Sequence, residues 1–450
     1  MGATTFLFLA NDKNMVERLR GMWILGFLFF LLLPFQFALG VMDGVDLAVS
    51  RVGALLIGLI FLAERLRSGS WILPPPRDTF FFMGLLSLMG LSSLWAEESA
   101  WTLRKGLFLL SFLPIWFFFA DLFSRKGSLA IRGIGRGFFF GSVAGAGVAL
   151  LQFISQFIFS LDQILHFWLS RVYPLFLGEA FAQAVATHPS LLVNIAGKTI
   201  LRATGMFPDP HVAAFYFGMA IPFGLWLGMM APREKKMPFF LGVGILFLAD
   251  LGTFSRGGYV GLLAMLLFFG AFYLYHQREK IPWRQQKKVV LVALAVFILA
   301  LSIPLVRNRL METFSVTEGS NSARIALWKE AMVHIGEQPL LGYGLGNYPL
   351  KVLPSAQYRD PIYIHNIYLD IWAELGIIGL LFFLGIFLLP VGIFFFRGSL
   401  ASIALPATLA LVLFLAHSFF ENTLFSVHVF PVLLLLTAIV SWYNRKNETN

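Results

Sequence analysis

His365 heads a polar series inside "DPIYIHNIYLDIWAELG", residues 360–376, directly before a long apolar run. Asn366, Asp370 and Glu374 follow at four-residue intervals, which places them on one face if the stretch is helical. Ionisable groups entering a membrane span normally face the bundle interior or a water-filled cavity, so this face is expected to line something wet. A histidine there can serve as a general base when its ring is neutral at the working pH. The plainer alternative is an interfacial side chain with no chemistry.

Two arginines suit the same task. Arg256, in "LGTFSRGGYVG", is flanked by glycines that let backbone approach a ligand closely. Arg324, in "EGSNSARIALWKEA", is expected to open a helix capped by Asn321 or Ser322. There the free N–H groups and the positive dipole end would join the guanidinium in an anion site. The bland alternatives are a snorkelling and a solvent-facing arginine. Arg202, Asp209 and His211, in "LRATGMFPDPHVAAF", form a second-rank cluster in which Asp209 between prolines reads as a turn and cap residue.

Two arginines and a histidine fit a diphosphate leaving group and a hydroxyl nucleophile. Charge-assisted hydrogen bonds contribute roughly 1.5–3 kcal/mol each, and more in a dry site where charge develops. Nearby arginines are expected to depress the histidine pKa from its usual ~6.5 and keep the ring neutral. No Walker-type loop, Asp-x-Asp pair, metal-spaced His/Glu set or Gly-x-Ser-x-Gly elbow is present. The expected chemistry therefore uses no ATP, no metal and no other cofactor.

The elements that must hold these groups lie in a membrane. The 450 residues are 58% hydrophobic and 13% charged, with 50 Phe, too apolar and too poorly charged for a soluble domain. Mean hydropathy is +0.78. The first apolar run, from Gly21 to about Met42, is too long for a signal-peptide core and reads as a retained span. With no Cys, disulfides, thiolate metal sites and cysteine nucleophiles are excluded. Apolar stretches near the ~20 residues a crossing needs predict an all-α, polytopic single domain with about 12 transmembrane helices. They are 22–42, 45–63, 78–95, 105–122, 134–159, 211–231, 238–253, 257–275, 289–306, 368–390, 403–421 and 424–442.

A cytoplasmic N-terminus and C-terminus put 21 of the 34 basic residues in the inner loops, tails and turn, in keeping with the positive-inside bias. The net charge of +10 is then explained by membrane lipids, with no nucleic acid partner. Two outer connections are long. Residues 160–210 are expected to carry an interfacial helix, and 307–367 a helix over "SARIALWKEAMVHI" stopped by Gly336 and Pro339, then a glycine-rich turn. Arg256, Arg324 and His365 all fall on that outer side.

The segments "TFSRGG", "NSARIALWKEAMVHIGEQPLLGYGLGNYP" and "HNIYLDIWAELGIIGL", in this order, resemble the O-antigen ligase and polymerase family of bacterial inner membranes. The resemblance is strongest over residues 200–390. It implies a metal-independent, inverting glycosyl transfer on the periplasmic face, from a glycan on undecaprenyl pyrophosphate to a sugar hydroxyl. Arg256 and Arg324 match the family's pyrophosphate-binding arginines and His365 its acceptor-activating histidine; a role for Arg202 is not fixed. The acceptor is lipid A-core for a ligase, the growing glycan for a polymerase, or a protein for a pilin glycosyltransferase. A lipid-linked sugar flippase and a non-catalytic assembly scaffold are the alternatives outside this class. The flippase predicts charges at mid-span depth in several helices, and the scaffold an indifferent His365.

Overall fold

A computed structural model of the chain describes residues 13–42, 45–187, 190–195, 197–277, 307, 319–358 and 362–448. These are mostly helical, with two small hairpins. The predicted first span divides. Helix α1 covers Lys13–Leu32 and gives way to a 3-10 turn at Leu33–Phe35. Pro34, which has no N–H to continue the helix, lies in that turn. Strand β1 (Ala38–Met42) then pairs antiparallel with β2 (Val45–Ala48), so the predicted second span also starts as a strand before α2 (Val49–Ser68).

The next predicted spans coincide with helices: α3 (Pro76–Leu91), α4 (Ser99–Lys126) and α5 (Ser128–Ser155). The 160–210 segment forms short pieces around its own core of Ile164, Trp168, Tyr173 and Leu191. They are α6 (Leu161–Phe167), a π-helical turn at Trp168–Val172, α7 (Tyr173–Leu177), α8 (Glu179–Thr187) and a hairpin of β3 (Leu192–Ile195) with β4 (Lys198–Leu201).

Helices α9 (Pro210–Met230), α10 (Met237–Gly252) and α11 (Arg256–Gln277) follow. The predicted span 289–306 lies outside the described residues. The long second connection contributes α12 (Gly319–Glu337) and α13 (Tyr348–Val352), and the chain closes with α14 (Ile367–Arg397), α15 (Leu405–His417) and α16 (Val429–Glu448). Five helices among the described residues are long and apolar enough to cross a membrane: Ser99–Lys126, Ser128–Ser155, Pro210–Met230, Arg256–His276 and Ile367–Arg397.

Phenylalanine fills the core. Phe30 sits 5.8 Å from Phe119 and 6.0 Å from Phe138, ring centre to ring centre, tying α1 to α4 and α5. Close approach of α5 to α1 depends on Gly137 and Gly141. A Cβ at Gly141 would lie 2.6 Å from the carbonyl oxygens of Phe30 and Leu31, and one at Gly137 would strike the carbonyl of Phe27. This is the small-xxx-small spacing that lets membrane helices pack backbone to backbone.

One irregularity shapes the functional end. Gly376 interrupts α14 with φ +67°, a left-handed conformation that glycine adopts without a Cβ penalty. A side chain there would strike the backbone of Leu340. The helical bond from Ile377 N to the Ala373 carbonyl is replaced by bonds to the 338–347 turn. Ile377 N donates to Pro339 O (2.9 Å), Tyr343 N to Ala373 O (2.9 Å) and Gly344 N to Glu374 O (2.8 Å). The glycine-rich turn of the long connection is thus stitched into the membrane helix.

Candidate active site

Several helix ends meet around His365. The start of α14 is pinned to the end of α15 by a bond from Ile367 N to Ser418 O (3.0 Å). Asn366 is the N-cap of α14, its side chain accepting from Tyr368 N (3.0 Å) and Leu369 N (3.2 Å). Asp370 accepts from Ile364 N (3.3 Å) and from Asn422 Nδ2 (3.0 Å), while Trp328 of α12 donates to Ile364 O (3.1 Å). His365 is clamped between these anchors at φ +54°. Among the described residues only Phe254 (φ +49°) and His365 are non-glycine residues with positive φ, and each stands beside a group singled out by its chemistry.

The expectation that Asn366, Asp370 and Glu374 line something wet is not met. All three are buried, and each is tied to protein groups. Glu374 receives Lys105 Nζ of α4 at 3.0 Å. An isolated charge is costly at such depth, so each polar group here has been given a partner.

The imidazole itself faces Glu421, which lies between α15 and α16. His365 Nδ1 is 2.7 Å from Glu421 Oε1 and 3.1 Å from Oε2, with the ring 33% exposed. Arg324 Nη2 reaches the same carboxylate at 3.4 Å. Arg324 does lower the histidine pKa, as expected, but it does not decide the net direction. Burial and Arg324 lower the His365 pKa, but the hydrogen bond and charge of Glu421 outweigh them and raise it above 6.5. Burial acts the other way on Glu421 and pushes it up; His211, His365 and Arg324 pull harder and bring it down to about 2. One carboxylate joins the groups read as base and anion binder.

Arg324 does not sit at the first turn of its helix. Within α12, Asn321 and Ser322 are helical and Arg324 lies in the second turn. Polar residues of that kind are tolerated in a first turn, which moves the helix end ahead of the cap expected from sequence.

Arg256, 4% exposed, begins α11 at the strained Phe254 turn. The residue before it, Ser255, binds two imidazoles through Oγ: His211 Nδ1 of α9 at 2.9 Å and His417 Nε2 of α15 at 3.2 Å. Gly257 is forced by the same packing, since a Cβ there would collide with the His417 ring. Arg202 (5% exposed) braces the turn from below, Nε donating to Thr253 O at 2.6 Å and Nη1 to Ser190 O at 3.1 Å.

Asp209 is the N-cap of α9, as its neighbouring prolines suggest, accepting from His211 N (2.7 Å) and Val212 N (2.8 Å). Burial raises its pKa to about 6, with Glu421 adding to the effect and the two N–H bonds and Arg202 opposing it. His211 does more than start a helix: it is the bridge from this cap to the Arg256 turn. Arg202, Asp209, His211 and Arg256 thus form one cluster, joined to the His365–Glu421–Arg324 group through His417 and the field of Glu421.

Glu421, Ser255, His417 and Lys105 carry much of this geometry and were not singled out from sequence. The polar run "AHSFFEN", residues 416–422, between two apolar stretches is the signal that could have found two of them.

Residues 239–384 match the family model described as O-antigen ligase. The chain is also 29% identical over 255 residues to an O-antigen ligase of Pseudomonas aeruginosa, covering 55% of this chain and 57% of that relative. The chain thus spans a little over half the length of the curated relative it matches. Arg256, Arg324 and His365 lie inside the matched family segment; Glu421 lies beyond it.

Proposed function

From its relationship to the O-antigen ligase family, we propose that this chain is a membrane glycosyltransferase acting at the periplasmic face of a bacterial inner membrane. It moves a glycan from undecaprenyl pyrophosphate to a sugar hydroxyl, with lipid A-core as the acceptor of a ligase. A polymerase or a protein O-glycosyltransferase would run the same chemistry on another acceptor.

The observation that carries this reading is the carboxylate shared by His365 and Arg324. Glu421 accepts from His365 Nδ1–H, fixing the tautomer in which Nε2 is the basic nitrogen. Nε2 takes the proton from the acceptor hydroxyl as its oxygen attacks the anomeric carbon. The bond from that carbon to the pyrophosphate oxygen breaks, the electron pair leaves with the pyrophosphate, and the configuration inverts. Arg256 and Arg324 hold the leaving group. A guanidinium presents a planar fork of five donors, which suits it to span a carboxylate and a phosphate oxygen. The proton rests on an imidazolium stabilised by Glu421, which is the function of the raised His365 pKa. Asp370 and Asn366 act as positioning residues by holding the backbone on either side of His365, at Ile364 and at Tyr368 and Leu369.

Expression in membranes lacking either the endogenous ligase or the endogenous polymerase tests this. Return of a capped lipid A-core identifies a ligase, and return of long glycan on its carrier a polymerase. A His365→Ala variant that restores either as well as the parent does would refute the base assignment.

A further inference from the structure

A second pair of arginines stands on α2 and α4, outside the His365 centre. Arg104, Phe108 and Ser111 of α4 fall at i, i+4 and i+7, on one face. Arg51 of α2 lies along that face, its Nε donating to Ser111 Oγ at 3.0 Å and its guanidinium 5.7 Å from the Phe108 ring centre. The Arg104 guanidinium sits 4.3 Å over the Tyr358 ring, which Trp101 meets edge-on at 5.6 Å. Arg51 is within electrostatic reach of both Arg104 and Tyr358. The neighbouring Lys105 is neutralised by Glu374. Among the described residues no ion pair to a carboxylate is formed by Arg51 or Arg104. Two like charges are therefore held together on aromatic and hydroxyl supports.

We propose that Arg51 and Arg104 form an anion subsite that takes a phosphate group of the acceptor glycolipid. This rests on the transferase reading given above. A guanidinium stacked on an aromatic face keeps its N–H edge available for two phosphate oxygens.

Position assigns the site to the acceptor rather than the donor. In an inverting displacement the incoming oxygen and the leaving pyrophosphate lie on opposite sides of the reacting carbon. Arg256 heads α11, at a turn tied through Ser255 to His211 of α9 and His417 of α15, whereas Arg51 and Arg104 stand on α2 and α4. The two sides meet at the Glu421 connection, where Phe425 lies 5.0 Å from Lys105 Nζ and 6.1 Å from the Phe108 ring. Tyr363, 6.2 Å from the His365 ring and within reach of the charges of Lys105 and Glu421, links Lys105, next in sequence to Arg104, to the base.

A bilayer phospholipid headgroup offers the same chemistry, so the test separates the two sources. The full-length protein in zwitterionic nanodiscs is given a fluorescent rough-type lipopolysaccharide, either intact or enzymatically dephosphorylated, without donor. The intact probe is expected to bind the parent tenfold or more tightly than the dephosphorylated one, a factor in line with one charge-assisted contact. Arg104→Gln and Arg51→Gln should each erase that preference, and Arg104→Lys should restore part of it. In the transfer assay the Gln variants should raise the acceptor KM at least tenfold and leave the donor KM within twofold.

Equal binding of the two probes by the parent overturns the proposal, as does a preference that survives in both Gln variants or a rise in donor KM instead. If the preference disappears when a tenth of the disc lipid is made anionic, a headgroup owns the pair and the acceptor assignment falls. A parent that transfers nothing, yet shows the phosphate preference and loses it in the Gln variants, keeps the subsite and removes the transferase reading.

Discussion

Glu421→Gln is the sharpest test of the proposed chemistry, because it alters one atom at the junction of base and anion binder. In the parent, burial is outweighed by His211, His365 and Arg324, and the Glu421 pKa falls from 4.5 to about 2. At 1.36 kcal/mol per unit this is about 3 kcal/mol in favour of the charged carboxylate, net of the cost of burying it. A hydrogen bond to a charged group is worth about 1.5–3 kcal/mol, and if that is lost at the transition state the rate falls about 10- to 150-fold.

The pH profile adds a sign. Only the neutral His365 ring accepts a proton, so activity rises with pH through the raised pKa of this group. Without the carboxylate charge, burial and Arg324, which both lower it, are opposed only by the weaker pull of Asp370. The variant should therefore have a lower plateau, with its acid limb displaced to lower pH. The assay is transfer from a lipid-linked donor across roughly pH 5 to 9, reported as kcat/KM, with thermal melting to confirm folding. Glu421→Asp, which keeps the charge on a shorter stem, should fall between the two. An acid limb that stays in place or moves up, or a plateau equal to the parent's, would refute the dyad.

Other outcomes follow from the same geometry. His365→Ala, Arg256→Ala and Arg324→Ala should each lose ~10²-fold or more in transfer while eluting as the parent does, and EDTA should leave the parent's rate unchanged. Lys105→Met strands Glu374 in a buried position and should cost about 3–5 kcal/mol in thermal or denaturant unfolding, with much of the loss recovered by adding Glu374→Leu. Gly376→Ala combines a left-handed φ with a collision against Leu340 and should yield little folded protein by size-exclusion chromatography, whereas Gly392→Ala, whose Cβ meets nothing, should behave as the parent.

Spans marked only by hydrophobicity could be read from the chain, and from 76 to 277 the predicted runs coincide with helices to within a few residues at most ends. The first two predicted spans each gave way to the hairpin at the end where they meet, because hydropathy does not distinguish an apolar helix from an apolar hairpin. Pro34 and the Gly40 region carried that information. At the site, Asn366 and Asp370 are visible as a polar face, yet periodicity cannot tell a face that lines water from one consumed by capping and tying a turn. Glu421 was missed for a different reason. It follows His365 by 56 positions and gains meaning only when α15 folds back to bring the two within 2.7 Å. The sign of the His365 shift was misjudged for the same cause, since the two arginines were in view and the acid was not.

The repair of α14 at Gly376 has a mechanical meaning. With the 338–347 turn occupying the gap, the wall behind His365 and the membrane helix move as one block. Swinging that turn outward would break three backbone bonds and leave their donors and acceptors orphaned, at roughly 1–3 kcal/mol for each group left unpaired. A flap hinged there is thus disfavoured, and in the proposed transfer the reactants would have to reach His365 by a route other than the opening of this turn.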